Sequence, residues 1–307
     1  MIKKGCIDLE NILKRGTSAD GSIRVFAVVT TELVNKAHEI HNTLPVASAG
    51  LGRTLTGAVL MAAAGLKSED DSITLQIKGD GPIGSIIACG NSNLEVRGYV
   101  TNPYVDLPLN NKGKLDVGGA VGKGTLSVVR DLGLKEPYIG QIPLVSGEIA
   151  EDITMYYAQS EQTPTATGLG VLVDTDNSIK AAGGFMVQMM PGSTDETAHI
   201  IEENLNKIKP VTTMIAEGMT AEDIIFAVTE GIDFFVNNKE EYPTYKCTCS
   251  RERMEKALIS IGKQELTDII EEQGNAEMTC HFCNNKYNFS KSELTELLKH
   301  AKSEKTE

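Results

Sequence analysis

The chain has 307 residues, six cysteines, no tryptophan and a formal net charge of -13. That length gives room for two or three domains, and the acidic balance argues against a nucleic-acid partner, because phosphate contacts need a basic surface. The longest apolar run, Gly57 to Leu66, is too short to span a bilayer. Met1-Ile2-Lys3-Lys4 leads into a polar segment rather than the apolar stretch of a secretory leader, so a cytoplasmic location without a membrane partner is expected. In that compartment, cysteines serve as metal ligands or redox groups more often than as standing disulfides.

Residues 1 to 192 read as one mixed domain. Ile23 to Thr31 is rich in β-formers, and Thr31 to Asn42 and Pro45 to Lys67 read as helices. The second helix carries small residues along its length, among them Ala47, Gly57, Ala58 and Ala62, which suits close contact with a sheet. Extended runs follow at Ser72 to Lys78, Gly84 to Cys89, Leu94 to Val100, Thr125 to Arg130 and Tyr138 to Val145. A helix is predicted from about Glu148, with Ile149, Ile153, Tyr156 and Tyr157 on one face. Thr165 to Val173 and Phe185 to Met190 return to strand character. Strands and helices do not alternate regularly, which predicts an α+β class rather than a doubly wound sheet.

Residues 193 to 240 read as a linker of short helices. Ser193-Thr194-Asp195-Glu196 fits a capping box with Ser193 as N-cap. Ile201, Leu205 and Ile208 share a face of the helix it starts; Pro210 stops that helix, and Gly218 ends the next. Thr220-Ala221-Glu222-Asp223 opens a third, with Ile224, Ile225 and Val228 inward. The segment holds ten acidic and three basic residues. Such short acidic helices are marginal alone, so the segment is either an ordinary connector or an element able to melt with its neighbour.

Residues 241 to 307 contain Cys247-Thr248-Cys249 and Cys280-His281-Phe282-Cys283, paired cysteines separated by residues 250–279. This pattern delivers four thiolates to one tetrahedral zinc ion. Predicted helices start at Ser250, run through Leu266, Ile269 and Ile270, and restart at a capping box, Ser290-Lys291-Ser292-Glu293. Apolar residues are few, so a metal has to supply much of this module's stability. Two other readings fit paired cysteines less well. A secreted disulfide module lacks its leader, and a thioredoxin-type site lacks its βαβ setting, since the second pair sits between extended runs at Ala276–Thr279 and Lys286–Phe289. His281 is a bystander once four thiolates fill the shell.

Other patterns point less far. Gly79-Asp80-Gly81-Pro82-Ile83-Gly84 fits a dinucleotide fingerprint, but the following Ser85 to Cys89 is β-like, so a hairpin turn is expected. Gly118 to Gly124 resembles a phosphate-binding loop and departs from it at Val117 and Gly124. His38 and His41 share a helical face without a third ligand, and Cys6 and Cys89 read as small apolar residues. No nucleophilic or paired-carboxylate constellation is evident, so no enzymatic activity is expected.

On these residues the chain resembles the redox-regulated chaperone family called heat shock protein 33. In the tail the likeness rests on Cys247-x-Cys249-Ser250-Arg251-Glu252-Arg253 and Cys280-x-Phe282-Cys283, followed by Tyr287 and Phe289. Earlier it rests on Leu51-Gly52-Arg53, Lys78-Gly79-Asp80-Gly81-Pro82, Val96-Arg97-Gly98-Tyr99-Val100, Ser160-Glu161-Gln162 and Ala182-Gly183-Gly184-Phe185. The resemblance implies an ATP-independent holdase, inactive when reduced and holding one zinc ion on Cys247, Cys249, Cys280 and Cys283. It implies that oxidation closes Cys247–Cys249 and Cys280–Cys283, releases the metal, unfolds the module and loosens the linker. The activated protein, commonly a homodimer, then holds unfolding client proteins. Ile201, Leu205, Ile208, Ile224 and Ile225 are the candidate client-binding residues, uncovered when the module no longer braces them. Cys280–Cys283 is expected to close first, because residues i and i+2 of an extended strand lie about 6.6 Å apart, near the upper limit for a disulfide. A static zinc-ribbon adaptor and a thiol oxidoreductase are the competing functions.

Overall fold

A computed structural model of the chain describes residues 10–301. The first part carries strands β1 (Leu13–Ser18) and β2 (Ile23–Val29), helices α1 (Thr31–His41) and α2 (Pro45–Gly65), and strands β3 (Ser72–Gly79), β4 (Ser85–Asn91) and β5 (Glu95–Val100). Helix α3 (Val117–Val121) precedes β6 (Gly124–Asp131) and β7 (Tyr138–Pro143), and α4 (Ala150–Gln159) precedes β8 (Thr165–Val173) and β9 (Ile179–Met189). Then come α5 (Asp195–Lys207), α6 (Val211–Ala216), α7 (Ala221–Val228), β10 (Phe234–Val236) and β11 (Thr244–Tyr245). The last part holds α8 (Arg251–Ser260), α9 (Lys263–Glu272), β12 (Asn275–Thr279), β13 (Lys286–Ser290) and α10 (Lys291–Leu298). The chain divides into two units, one ending at Lys246 and the other beginning at Cys247.

In the first unit, two sheets enclose one helix. The five-stranded sheet runs β10-β1-β2-β9-β8 and the six-stranded sheet β11-β5-β4-β3-β6-β7. Every pairing is antiparallel except β11 with β5. This is an α+β architecture, as the irregular order of strands and helices predicts. Helix α2 touches strands of both sheets. It is 21 residues long and apolar enough by length and composition to cross a membrane, yet 94% of its most apolar window is buried inside the unit. Its small residues permit the close packing: a Cβ on Gly57 would sit 2.5 Å from Ile153 Cδ1.

The five-stranded sheet is buried on both faces, and period-two alternation sorts its side chains. From β2, Phe26 and Val28 join the core around α2, while Ile23, Val25, Ala27 and Val29 face the other way. From β9, Ala182 and Met186 go inward, and Ala181, Phe185 and Val187 outward. The outward residues are covered by the middle helices through Ile201, Val211, Met214, Ile215, Ile224, Ile225 and Val228. Residues 193–240 therefore form a third layer within the first unit, continuing into β10 at the sheet's edge.

Local chemistry explains the layer's helix ends. Thr220 caps α7, accepting from Asp223 N while the Asp223 carboxylate accepts from Thr220 N at 2.8 Å. Helix α5 starts one residue later than its sequence suggests. Ser193 N bonds Met190 O in a turn through Gly192, which takes φ +98°, so Thr194 becomes the N-cap and accepts from Thr197 N. The second unit is built on a much smaller core of Leu258, Leu266, Ile270, Phe289, Leu294 and Ala301. Ser250 caps α8 and Ser290 caps α10, as predicted.

The two glycine-rich patterns satisfy each other. Asp80 N bonds Lys123 O, Gly81 N bonds Val121 O and Ile83 N bonds Ala120 O. A Cβ on Gly79 would lie 1.8 Å from Val121 O. The backbone donors that would cradle a phosphate are thus consumed inside the β3–β4 turn and α3. His38 Nδ1 lies 3.1 Å from Thr43 O, whereas His41 Nε2 lies 3.2 Å from the Tyr245 hydroxyl, so the pair serves packing. Cys89 sits within β4, its sulfur accepting from Thr74 Oγ1, and Cys6 lies outside the described residues.

Candidate metal centre

Two short turns bring the four cysteines together. Cys247 and Cys249 lie between β11 and α8, where Ser250 ends the irregular stretch by capping α8. Cys280 and Cys283 lie in the turn between β12 and β13. There Cys283 N and Asn284 N both bond Cys280 O, Cys280 N bonds Asn285 O, and Asn284 takes the left-handed φ of 57° that the reversal needs. The ladder from Asn275↔Ser290 to Thr279↔Lys286 holds that turn at the end of a hairpin.

The four sulfurs lie within 4.8 Å of one another. Cys247 Sγ is 3.7 Å from Cys280 Sγ, and Cys249 Sγ is 3.3 Å from Cys283 Sγ. A tetrahedral thiolate site with bonds of about 2.3 Å needs sulfur–sulfur edges of about 3.8 Å. The spacing therefore fits a metal ion with these four ligands, and His281 is not among the clustered donors.

The electrostatics point the same way. Burial pushes the Cys249 thiol up, but the hydroxyl of Tyr287, donating to Cys249 Sγ at 3.1 Å, and the neighbouring sulfurs outweigh it and hold it at about 7. Burial raises Cys247 and Cys283 against a lowering backbone donor at each; the neighbouring sulfurs add to the rise at Cys283, and those of Cys249 and Cys280 do so at Cys247, where the Cys283 sulfur opposes it. A bare cluster thus accepts one negative charge readily and resists the next, as like charges at contact must. A cation held by Cys247, Cys249, Cys280 and Cys283 would remove that resistance and stabilise all four thiolates.

Residues outside the cysteine motifs brace the cluster. Arg251 lies 4.4 Å from the Phe289 ring centre, donates to Asn288 O and pairs with Glu293 at 2.7 Å, tying the first turn to β13 and α10. Arg253 Nη1 donates to Thr248 Oγ1 between the first two cysteines. Tyr287 is the group that sequence reasoning leaves without a role. Its position opposite Met278 in the hairpin register turns it toward the sulfurs, and its spacing four residues after Cys283 is the only local signal.

The remaining candidates lie in the first unit. Ile201, Ile224 and Ile225 are buried against the five-stranded sheet, with Leu205 and Ile208 packed on the margin of that cluster. They are brought together with one another in the first unit. Arg53 pairs with Glu148, and Arg130 with Glu161, which also accepts from the Tyr156 hydroxyl. The Leu51-Gly52-Arg53 and Ser160-Glu161-Gln162 motifs thereby hold core elements together.

A family model described as Hsp33 protein matches residues 11–290. The chain is 52% identical over 295 residues to the 33 kDa chaperonin of Clostridium beijerinckii, covering 96% of this chain and 100% of that one. It is 49% identical over 298 residues to the 33 kDa chaperonin of Acetivibrio thermocellus, covering 97% and 100%. The crystal structure of the 33 kDa chaperonin, a heat shock protein 33 homolog, from Thermotoga maritima superposes with a TM-score of 0.87 at 43% identity, covering 94% of this chain and 98% of that one. These relatives carry the name of a chaperone rather than an enzyme. With a matching family model, matching relatives along almost its whole length and a four-cysteine cluster within the matched region, this chain belongs to the Hsp33 family of chaperones.

Proposed function

We propose that this protein is an oxidation-activated, ATP-independent holdase of the cytoplasm, acting as a homodimer once activated. In the reduced state Cys247, Cys249, Cys280 and Cys283 hold one zinc ion. When bound, that ion keeps four sulfurs deprotonated side by side and supplies folding energy of about 10–16 kcal/mol, judged from small zinc peptides. The observation that carries this reading is the convergence of all four thiols within 4.8 Å on a module whose own buried core is six residues.

Oxidation acts on the sulfurs. A cysteine thiolate attacks one oxygen of hydrogen peroxide, giving a sulfenic acid and hydroxide. Its partner thiolate displaces the second oxygen as hydroxide, so two thiolates and one peroxide yield one disulfide and, with two protons, two waters. Cys280 and Cys283 occupy a formed turn and close first; Cys247 and Cys249 follow once the module loosens. A disulfide sulfur is a poor ligand, so the module loses its largest stabilising contribution and unfolds.

The middle layer supplies the client surface. Its helices bury Ile201, Ile224 and Ile225, and partly cover Leu205 and Ile208, in the cluster that holds Ile23, Val25, Ala27 and Val29. Release of the layer exposes both faces at once, one mobile and one held rigid by the sheet. Contiguous apolar area of this kind binds the apolar segments of unfolding proteins. The layer ends at β10, and only β11 separates it in sequence from Cys247.

The test follows aggregation of a heat-labile client beside reduced and peroxide-treated protein, with metal release read by a chromogenic chelator. Suppression only after oxidation, in step with release of one zinc per chain, is expected. Metal retained after oxidation, or suppression equal in both states, refutes the switch. Turnover of a dithiol substrate would move the protein to the oxidoreductases.

A further inference from the structure

The first unit holds a pocket whose charge is unbalanced. It encloses about 520 Å3 and is lined by Arg15, Arg24, Lys67, Phe26 and Phe235, with the last turn of α2 as its floor. The register of β1 and β2 builds it. Arg15 stands opposite Phe26, and Arg24 lies two residues before Phe26 on the same face. Each guanidinium carbon is 5.5 Å from the centre of the Phe26 ring, so two cations flank one aromatic side chain.

The two arginines differ in their partners. Arg15 donates to Ala63 O at 3.1 Å and pairs with Glu241 at 2.7 Å. Arg24 is half buried, pairs with no carboxylate among the described residues, and its Nε is buried without a hydrogen bond. Burial lowers its pKa, Tyr157 opposes that, and the Arg15 charge adds a smaller lowering. The Lys67 ammonium, exposed on the rim, likewise forms no ion pair among the described residues, although the Lys67 backbone N–H donates to Asp71 Oδ2 at 2.8 Å. Two positive charges are thus left uncompensated in a chain of net charge -13, where acidic partners are abundant. A desolvated cation facing a second cation is costly unless an anion completes the set.

We propose that this pocket binds a small phosphorylated metabolite, its phosphate held by Arg24 and Lys67 and the rest of the molecule lying along Phe235. A phosphate monoester carries about -1.5 to -2 charges at neutral pH, which matches the two free cations; a carboxylate leaves one unmatched. The guanidinium fork fits phosphate oxygens two at a time. The volume falls within the range of about 300–1,000 Å3 typical of small-molecule sites and exceeds what inorganic phosphate fills. Phe235, 63% exposed, offers a ring face to a planar group.

The test uses full-length, reduced, metal-loaded protein and is independent of the redox reading. Adenosine 5′-monophosphate, pyrophosphate and acetate are titrated at matched ionic strength, with calorimetry and backbone amide NMR as readouts. Saturable binding of the two phosphates, with amide shifts centred on Arg24, Phe235 and Asn237, is expected; acetate should give neither. R24Q should weaken binding by about tenfold or more, the loss of a charge-assisted contact. K67Q, at an exposed position that the fold does not need, should weaken it several-fold and so decides the matter even where R24Q folds poorly. Non-saturating titrations, shifts mapping elsewhere, acetate binding as tightly as phosphate, or K67Q binding like the parent would overturn the proposal.

Discussion

Tyr287 donates its hydroxyl proton to Cys249 Sγ, and that single contact sets the electron density on one of four sulfurs. Partners that hydrogen-bond a metal ligand typically change metal affinity by about 10–100-fold when removed. Tyr287→Phe keeps the ring in the hairpin and removes the donor. Cys249 becomes the more reactive thiolate, and peroxide-driven zinc release, followed by chelator absorbance, should be several-fold faster with unchanged circular dichroism; an unchanged rate would show the hydroxyl to be idle. Substitutions at the cluster should divide sharply. Cys280→Ser should abolish stoichiometric zinc binding, whereas His281→Ala should leave metal content at the parent value by atomic emission. The four cysteines were legible in the sequence because paired spacing is a local property. Tyr287 was not, because its role depends on the β12–β13 register and on the turn that places Cys249 beside it.

Helix α7 shows what fixes the middle layer. It has eight residues, it is held at its start by the Thr220–Asp223 capping box, and it gains its stability from packing on β2. Thr220→Ala should cost about 1 kcal/mol, and Ile224→Ala about 2–5 kcal/mol through lost burial and the cavity left behind. Hydrogen exchange in residues 221–228 should accelerate accordingly, with β3 and β4 unaffected, and the oxidant dose for client holding should fall. Equal acceleration throughout the first unit would mean that the layer does not open separately. A groove of about 820 Å3 along Gly168, Gly170, Leu205 and Ile208 leaves the seam between the layer and β8 incompletely packed. Most elements could be read from periodicity, including the helices that cover the sheet, but what they cover could not. Strand β1, Leu-Lys-Arg-Gly-Thr-Ser, has too little apolar content to announce itself and exists through pairing with β2 and β10. Strands β10 and β11 are too short to show a period.

At the scale of the molecule, the two units differ in the size of their cores. The first has two large buried clusters and the second a small one, of the size that ordinarily needs a metal or disulfides to fold. Chelation of zinc from the reduced protein should therefore abolish amide protection across residues 251–298 while the strands of the six-stranded sheet keep theirs; a second unit that stays protected without metal would separate its folding from the ion. The Hsp33 motifs show the same division, since those in the first unit maintain packing and those around the cysteines bring together four possible metal ligands. A sheet covered on both sides also makes residue parity a genetic marker. Along 23–29, odd positions report on one compartment and even positions on the other. A selection for bacteria that tolerate unfolding stress without oxidant should enrich polar changes such as Val25→Ser and Ala27→Ser. Val28→Ser should instead vanish from the pool as unfolded chain, so that enrichment alternates along the strand like a printed ruler.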